Sequence, residues 1–401
     1  MAELNLLTPQ GFQAAGVACG IKTQAGAMDL GLLLADTPAA AAAVFTTNKV
    51  VAAPVVLGRE TIQTGRLRAV VVNSGNANAC TGEQGMADAR TMARLAAEAV
   101  GASPGEVLVS STGIIGRPLP MDRIPAGIAQ AAGQLDRTPD AAEAFARAIM
   151  TTDTAMKASA AQADIGSARV TVAGVCKGAG MISPRMATML AYLTTDARIG
   201  PAALRSALRA AADASFNTIT VDGHTSTNDT AAVLASGAAG GPEIAEDTAD
   251  FDRFASLLAG VCAELARKIV ADGEGATRVV EVRVEGARTE AEAALAARAV
   301  ANSPLVKCAV HGGDPNWGRT VSAVGYSGAA FDADKLRHWI GDELVFAGGM
   351  PTRYDLARCQ EHMAGSRVLL RVDLGAGKAA YTCTTCDLSR DYVAINADYH
   401  T

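Results

Sequence analysis

The sequence predicts an α+β protein, with helices layered on predominantly antiparallel sheet. Two patterns carry that prediction. Strand-like runs come in groups and helical runs in separate blocks, not in regular strand–helix alternation. Each strand-like run also breaks off in a loop of Gly, Asn, Thr and Ser. Composition supplies a third observation. Apolar residues make up 49% of the 401 residues but aromatics only 4%, so the core must be aliphatic, with close backbone approaches.

Taken in order, residues 11–55 alternate short apolar runs with Gly, Thr and Asn, and read as strands and turns. Arg68–Val72 is β-branched and apolar, hence a buried strand. It ends in Asn73-Ser74-Gly75-Asn76-Ala77-Asn78-Ala79, a structured loop because Asn and Gly tolerate left-handed backbone. Glu83–Val100 has helical spacing. Val107–Ser110 is a strand opening into Ser111-Thr112-Gly113-Ile114-Ile115-Gly116. Ala141–Met150 is helical and runs into Thr151-Thr152-Asp153-Thr154. Pro201–Ala214 is a helix with proline in its first turn. A short strand then dissolves into the polar run Thr225–Thr230. Asp250–Val270 is a long helix, Arg278–Val284 a half-exposed strand, and Ala291–Val300 a helix ended by Asn302-Ser303-Pro304. Gly312–Arg319 is a turn-rich loop. Val368–Val372 and Ala380–Asp387 are the last strands.

Several function classes drop out. A net charge of -6 without a basic patch argues against a nucleic-acid partner. No apolar run reaches the length of a membrane span, and the N-terminal residues lack a secretory pattern, so the chain reads as cytoplasmic. The eight cysteines are scattered; only Cys383 and Cys386 form a CxxC, and no second pair or histidine pair completes a metal site. They read as reduced core thiols on a strand. No Gly-rich nucleotide loop, GxSxG elbow or HExxH helix is present. Asp314-Pro315-Asn316-Trp317-Gly318 reads as a packed turn, with a catalytic role as the alternative.

Lys177–Asp196, KGAGMISPRMATMLAYLTTD, is unusually apolar around Thr188. By residue type Thr188 is a buried hydroxyl bonded to backbone. As a nucleophile it would need a base, and without a nearby histidine the option is its own α-amine, with a pKa of about 7.7–8.0. That requires cleavage of the Ala187–Thr188 bond. An oxyanion then needs donors, which Thr112 and Gly113 can offer. Lys177 can pair with a carboxylate and Glu274 with an ammonium. Spacing alone establishes none of these roles.

At this point the chain resembles the self-cleaving ornithine acetyltransferase family, also called glutamate N-acetyltransferase. The resemblance rests on Lys177-Gly-Ala-Gly-Met-Ile, Met186-Ala187-Thr188-Met-Leu and Thr194-Thr195-Asp196. It extends in family order through Ala43–Asn48, Asn73–Ala79, Ser111–Gly116, Met150–Thr154, Thr225–Thr230, Asp272–Ala276, Asn302–Lys307 and Asp314–Arg319. It implies an αββα-type sandwich like that of N-terminal-nucleophile hydrolases, with a smaller C-terminal α/β lobe. It implies cleavage between Ala187 and Thr188 into an α chain, 1–187, and a β chain, 188–401, assembled as an α2β2 heterotetramer. The implied reaction is ping-pong. Thr188 takes acetyl from N2-acetyl-L-ornithine and passes it to L-glutamate in arginine biosynthesis. Thr112 and Gly113 hold the oxyanion, while Thr151, Lys177, Thr188, Glu274, Asn396 and Thr401 bind substrate. No metal or cofactor is implied, although some members also use acetyl-CoA as co-substrate. An amidohydrolase or aminopeptidase on the same scaffold is the alternative. Arg185 stands where such enzymes often carry Asn, and His224 where many carry Asp; both are expected to be peripheral.

Overall fold

A computed structural model describes residues 4–183 and 189–398. The elements of the larger body run β1 (Phe12–Val17), β2 (Leu30–Phe45), α1 (Ala53–Thr61), β3 (Arg66–Asn76), α2 (Gly82–Val100), β4 (Val107–Ile114), α3 (Ile124–Gly133), α4 (Pro139–Ala148), β5 (Lys157–Ile165), β6 (Ala168–Lys177), β7 (Leu190–Thr195), α5 (Pro201–Asp213), β8 (Thr230–Ala235) and α6 (Ala249–Ala271). The smaller lobe runs β9 (Val279–Ala287), α7 (Glu290–Ala301), α8 (Pro304–His311), α9 (Trp317–Gly325), β10 (Arg337–Ile340), β11 (Glu343–Ala347), β12 (Met350–Pro351), α10 (Leu356–Ala364), β13 (Arg367–Asp373) and β14 (Ala379–Cys386). A final helix, α11 (Arg390–Asp398), follows.

The larger body is a single sheet of order β4-β3-β2-β8-β7-β6-β5, with β1 also on β2. The long strand β2 joins its halves. Leu30–Ala35 pair with β1, Leu30–Leu34 with β3, and Ala40–Phe45 with β8. Strand alternation then divides the side chains among three cores. Ala69 and Val71 of β3 pack under α2 and α3. Val70 and Val72 face inward, meeting Leu190 and Tyr192 of β7 together with α4. Ala191 and Leu193 of β7 point outward beneath α5 and α6. Three cores between helices, strands, strands and helices make four layers, the αββα sandwich. The inner core holds the ring of Tyr192 edge-on to Phe145, 5.6 Å between centroids.

The smaller lobe is a sheet of order β12-β11-β10-β13-β9-β14 with its own aliphatic core against α7–α10. Cys383 and Cys386 lie three apart on β14, so their thiols face opposite ways. Cys383 enters the lobe core and Cys386 the core of the larger body. Burial pushes the Cys383 thiol up to about 12.

Local chemistry explains the helix starts. Thr138, Thr248, Thr289 and Ser303 each accept a backbone N–H at the first turn of α4, α6, α7 and α8. Pro201 and Pro304 sit in the first turns of α5 and α8, where no backbone donor is lost. The sheets depart from the antiparallel expectation in three places: β3 with β4, β7 with β8, and β9 with β13 are parallel. Residues 53–55, read as strand or turn, begin α1, because Pro54 starts a helix behind Ala52. Asn73–Asn76, read as loop, continue β3. Among the described residues no helix is long and apolar enough to cross a membrane.

Candidate active site

One cavity of about 220 Å³ is lined by Thr112, Gly113, Thr151, Lys177, Glu274 and Asn396. These six residues come from β4, the turn before β5, the end of β6, the turn after α6, and α11. Every described residue to which the sequence assigns a role therefore meets in one place. Ala187, Thr188 and Thr401 lie outside the described residues, as does Arg185. The nearest described neighbour of Ala187 and Thr188 in the chain is Met189, which is buried and donates its N–H to Asp229 Oδ1 at 3.1 Å. The next residue, Leu190, stands opposite Lys177 on β6 and Thr230 on β8. His224 is exposed and does not line the cavity.

Thr112 and Gly113 are strand residues, not loop residues. The parallel ladder between β3 and β4 breaks at Gly75–Asn76, where Asn76 faces both Thr112 and Ile114; such irregularities re-aim side chains. Gly113 has φ +131°, and a Cβ there would come within 2.4 Å of the Gly75 carbonyl carbon. Only glycine fits. The asparagines before it hold the turn by side-chain bonds. Asn73 Nδ2 donates to the Asn76 carbonyl (2.9 Å), and Asn76 Nδ2 to the Pro118 carbonyl (2.9 Å). Asn228 Nδ2 donates to the Ala77 and Ser111 carbonyls, at 2.6 and 2.9 Å. The Thr112 hydroxyl makes no hydrogen bond among the described residues, which leaves it free as a donor into the cavity.

On the other wall, Asn396 Nδ2 donates to Glu274 Oε2 at 2.8 Å, so the carboxylate is oriented and keeps acceptor capacity. The close approach of Gly180 to that carboxylate leaves no room for a Cβ, which would lie 2.4 Å from Oε2. Lys177 is 2% exposed. Burial pulls its ammonium below the ordinary lysine range; Asp153 opposes this, Lys157 adds to it, and Asp229 and Glu274 oppose it.

Beneath Lys177 lies a charge network to which the sequence alone assigns no role. Lys157 Nζ is buried between Asp153 Oδ1 (2.6 Å) and Asp272 Oδ2 (2.5 Å). Asp153 also accepts the N–H groups of Gly178 (2.7 Å) and Thr151 (2.9 Å). One carboxylate thus ties Thr151 to the turn after Lys177. Burial opposes its ionisation, yet Lys177, Lys157 and these bonds hold Asp153 down at about 2. Asp229 is the opposite case: burial drives its carboxyl well above the usual range, and its Oδ2 has no partner among the described residues. The sequence signal for Asp153, Asp229 and Asp272 is their position inside Thr151–Thr154, Thr225–Thr230 and Asp272–Ala276; Lys157 lies outside these segments.

The arrangement offers an uncommitted hydroxyl, a glycine at a distorted strand end, a buried ammonium and an oriented carboxylate around one small space. A substrate with both a carboxylate and an ammonium could be oriented there by ionic contacts at each end.

The ArgJ family model matches residues 13–401. The chain belongs to the ArgJ family. It is 54% identical to the arginine biosynthesis bifunctional protein ArgJ of Symbiobacterium thermophilum, over 99% of this chain and 98% of that protein. It is 52% identical to the ArgJ of Geobacter sulfurreducens, over 98% and 99%. A solved structure of ornithine acetyltransferase complexed with ornithine, from Mycobacterium tuberculosis, is 42% identical. It covers 45% of this chain and 94% of that one, with a TM-score of 0.40.

If the Gly113 N–H is an oxyanion donor, Gly113→Ala in this ArgJ family member is expected to lower kcat by about 10²–10³-fold, the scale of one oxyanion donor moved out of place. The added methyl would force β3 and β4 apart at Gly75. Steady-state kinetics on the folded variant check this; a kcat near wild type would remove Gly113 from the site.

Proposed function

We propose that the chain is an acetyltransferase of arginine biosynthesis, moving acetyl from N2-acetyl-L-ornithine to L-glutamate through an acetyl-Thr188 ester. Convergence of Thr112, Gly113, Thr151, Lys177, Glu274 and Asn396 on one cavity carries this reading, and membership of the ArgJ family supports it. Autocatalytic cleavage at Ala187–Thr188 would free the α-amine of Thr188 as the base. The Thr188 hydroxyl attacks the acetyl carbonyl, with its proton passing to that amine. The oxyanion is held by the Thr112 hydroxyl and the Gly113 N–H. The C–N bond breaks and the ornithine amine leaves with the proton. The α-amine of glutamate then attacks the ester, the C–O bond breaks, and Thr188 recovers its proton. Lys177 takes a substrate carboxylate, while Glu274, with Asn396, takes an ammonium; Thr151 and Thr401 complete the binding wall. Acetyl-CoA can enter the same scheme as a second donor, its C–S bond breaking in place of C–N.

Cleavage would yield chains 1–187 and 188–401 without separating them. Six register pairs join β6 to β7 and six join β2 to β8, so each ladder crosses the cut. The cleaved pair would assemble further as an α2β2 heterotetramer in the cytoplasm.

The test is to mix purified enzyme with N-acetylornithine alone and digest it for mass spectrometry. The acetyl group should sit on the peptide that begins at Thr188 and disappear when glutamate is added. An acetyl-enzyme lost to water at a rate indifferent to glutamate would instead make the chain an amidohydrolase. No acetyl-enzyme at all would overturn the proposal.

A further inference from the structure

A second cavity opens beside the first and shares its residues Ile114, Thr151 and Thr152. Its volume is about 670 Å³, some three times that of the catalytic cavity. At about 220 Å³ the catalytic cavity is smaller than the roughly 300–1,000 Å³ of ordinary ligand pockets. A substrate too long for it would extend into the second cavity. The far wall of the second cavity carries Lys22, Gln24 and Arg117.

Both cations are fixed at the backbone. The buried Asp29 carboxylate accepts the N–H groups of Cys19 (2.7 Å), Ile21 (2.6 Å) and Lys22 (3.0 Å), which curls this loop over the end of β3. The Lys22 stem lies against Gly75. Its Nζ donates to the Met28 carbonyl at 2.7 Å, leaving two protons without a hydrogen-bond partner among the described residues. The Arg117 carbonyl accepts from Asn76 Nδ2 at 3.2 Å. Its exposed guanidinium forms no hydrogen bond or ion pair among the described residues. The single carboxylate on the described wall is Asp398, at the C-terminal end of α11. Burial lowers the Lys22 pKa, Asp29 and Asp153 oppose that, and Lys177 adds to it. Lys22 thus shares an electrostatic field with the buried ammonium of the catalytic cavity, and an anion placed near it would relieve that repulsion.

We propose that Lys22 and Arg117 form an anion subsite, receiving a carboxylate or phosphate of a substrate whose reacting group lies in the catalytic cavity. The proposal rests on the acetyl-transfer reading above. Two substrates in that reading bring such an anion: glutamate, through its side-chain carboxylate, and acetyl-CoA, through its phosphates. Ornithine brings a side-chain cation instead and gains nothing from this wall. The subsite would let one catalytic cavity serve substrates of opposite side-chain charge, with Glu274 facing the cation and Lys22 and Arg117 facing the anion.

The experiment compares Lys22→Met and Arg117→Glu with wild type in three KM values: N-acetylornithine, glutamate and acetyl-CoA. Arg117→Glu is exposed and keeps the question answerable should Lys22→Met disturb its loop. The KM of at least one anionic substrate should rise about tenfold for each cation removed. Its dependence on salt should flatten, and the KM for N-acetylornithine should hold. A rise for glutamate alone assigns the side-chain carboxylate; a rise for acetyl-CoA alone assigns the phosphates. Three unchanged values, or three that move together, would overturn the subsite. If wild type transfers no acetyl group, the acetyltransferase reading falls and the subsite is judged by calorimetry with glutamate and CoA. Binding to wild type that Arg117→Glu abolishes sustains it; binding absent, or equal in both, ends it.

Discussion

Thr188→Ala is expected to leave a single uncut 401-residue chain and to reduce acetyl transfer by at least about 10³-fold, the scale of losing a nucleophile. None of the cavity's described lining residues is a histidine, and the proposed reading keeps the buried lysine at its wall as a cation. In that reading the Thr188 hydroxyl is activated by its own α-amine, which would exist only after the preceding bond is cut. One hydroxyl would then perform both steps, first attacking the Ala187 carbonyl and afterwards the substrate. Thr188→Ser keeps the hydroxyl and loses only a methyl, so it should cleave more slowly and retain partial activity. A denaturing gel separates the cases. Wild type should give chains 1–187 and 188–401, which elute together under native conditions because the β6·β7 and β2·β8 ladders span the cut. Thr188→Ala should migrate whole. Two bands from Thr188→Ala, or activity close to wild type, would sink the nucleophile assignment.

Local patterns in the chain anticipated much of this fold. Val70–Val72 and Val107–Val109 declared buried strands by β-branching, and α5–α7 read as helices, α5 with proline in its first turn. What escaped depended on partners remote in sequence. Nothing in Leu190–Thr195 says that it pairs in parallel with Thr230–Ala235, because direction is set by the αββα layering and not by either strand. Likewise, the strand-and-turn reading that ran to Val55 gives way to helix from Ala53, once Pro54 begins α1. The site divides in the same way. Thr112, Gly113, Lys177 and Glu274 were named through segments with a family resemblance, and they converge. Asp153, Lys157 and Asp272 were not given roles, since a Lys between two Asp residues, four and 115 positions away, forms a buried network only after β5 and α6 meet.

That network makes the second large prediction. Asp153→Asn should destabilise the fold by about 3–5 kcal/mol, the range for breaking a buried ion pair. The amide matches the carboxylate in shape, but Lys157 loses one of its two anions and Lys177 the main one opposing its burial. The pH dependence fixes the cause. Asp153 is held at about 2 against an ordinary 3.8. A depressed carboxyl contributes stability that is present above the unfolded value and lost as pH falls through the folded one. The gap between wild type and Asp153→Asn should therefore be flat above roughly pH 4–5 and narrow by about 2 kcal/mol as pH falls from 3.8 towards 2. Urea unfolding at a series of acid pH values measures it. A gap independent of pH would mean that the asparagine merely packs badly. Activity supplies a second readout. With Asp153 neutral, the buried Lys177 should lose its proton more readily, so the rise in KM for glutamate towards alkaline pH should begin at a lower pH in the variant than in wild type. A variant that is unstable but keeps the wild-type KM profile would leave Asp153 a role in the fold and none in holding the charge of Lys177.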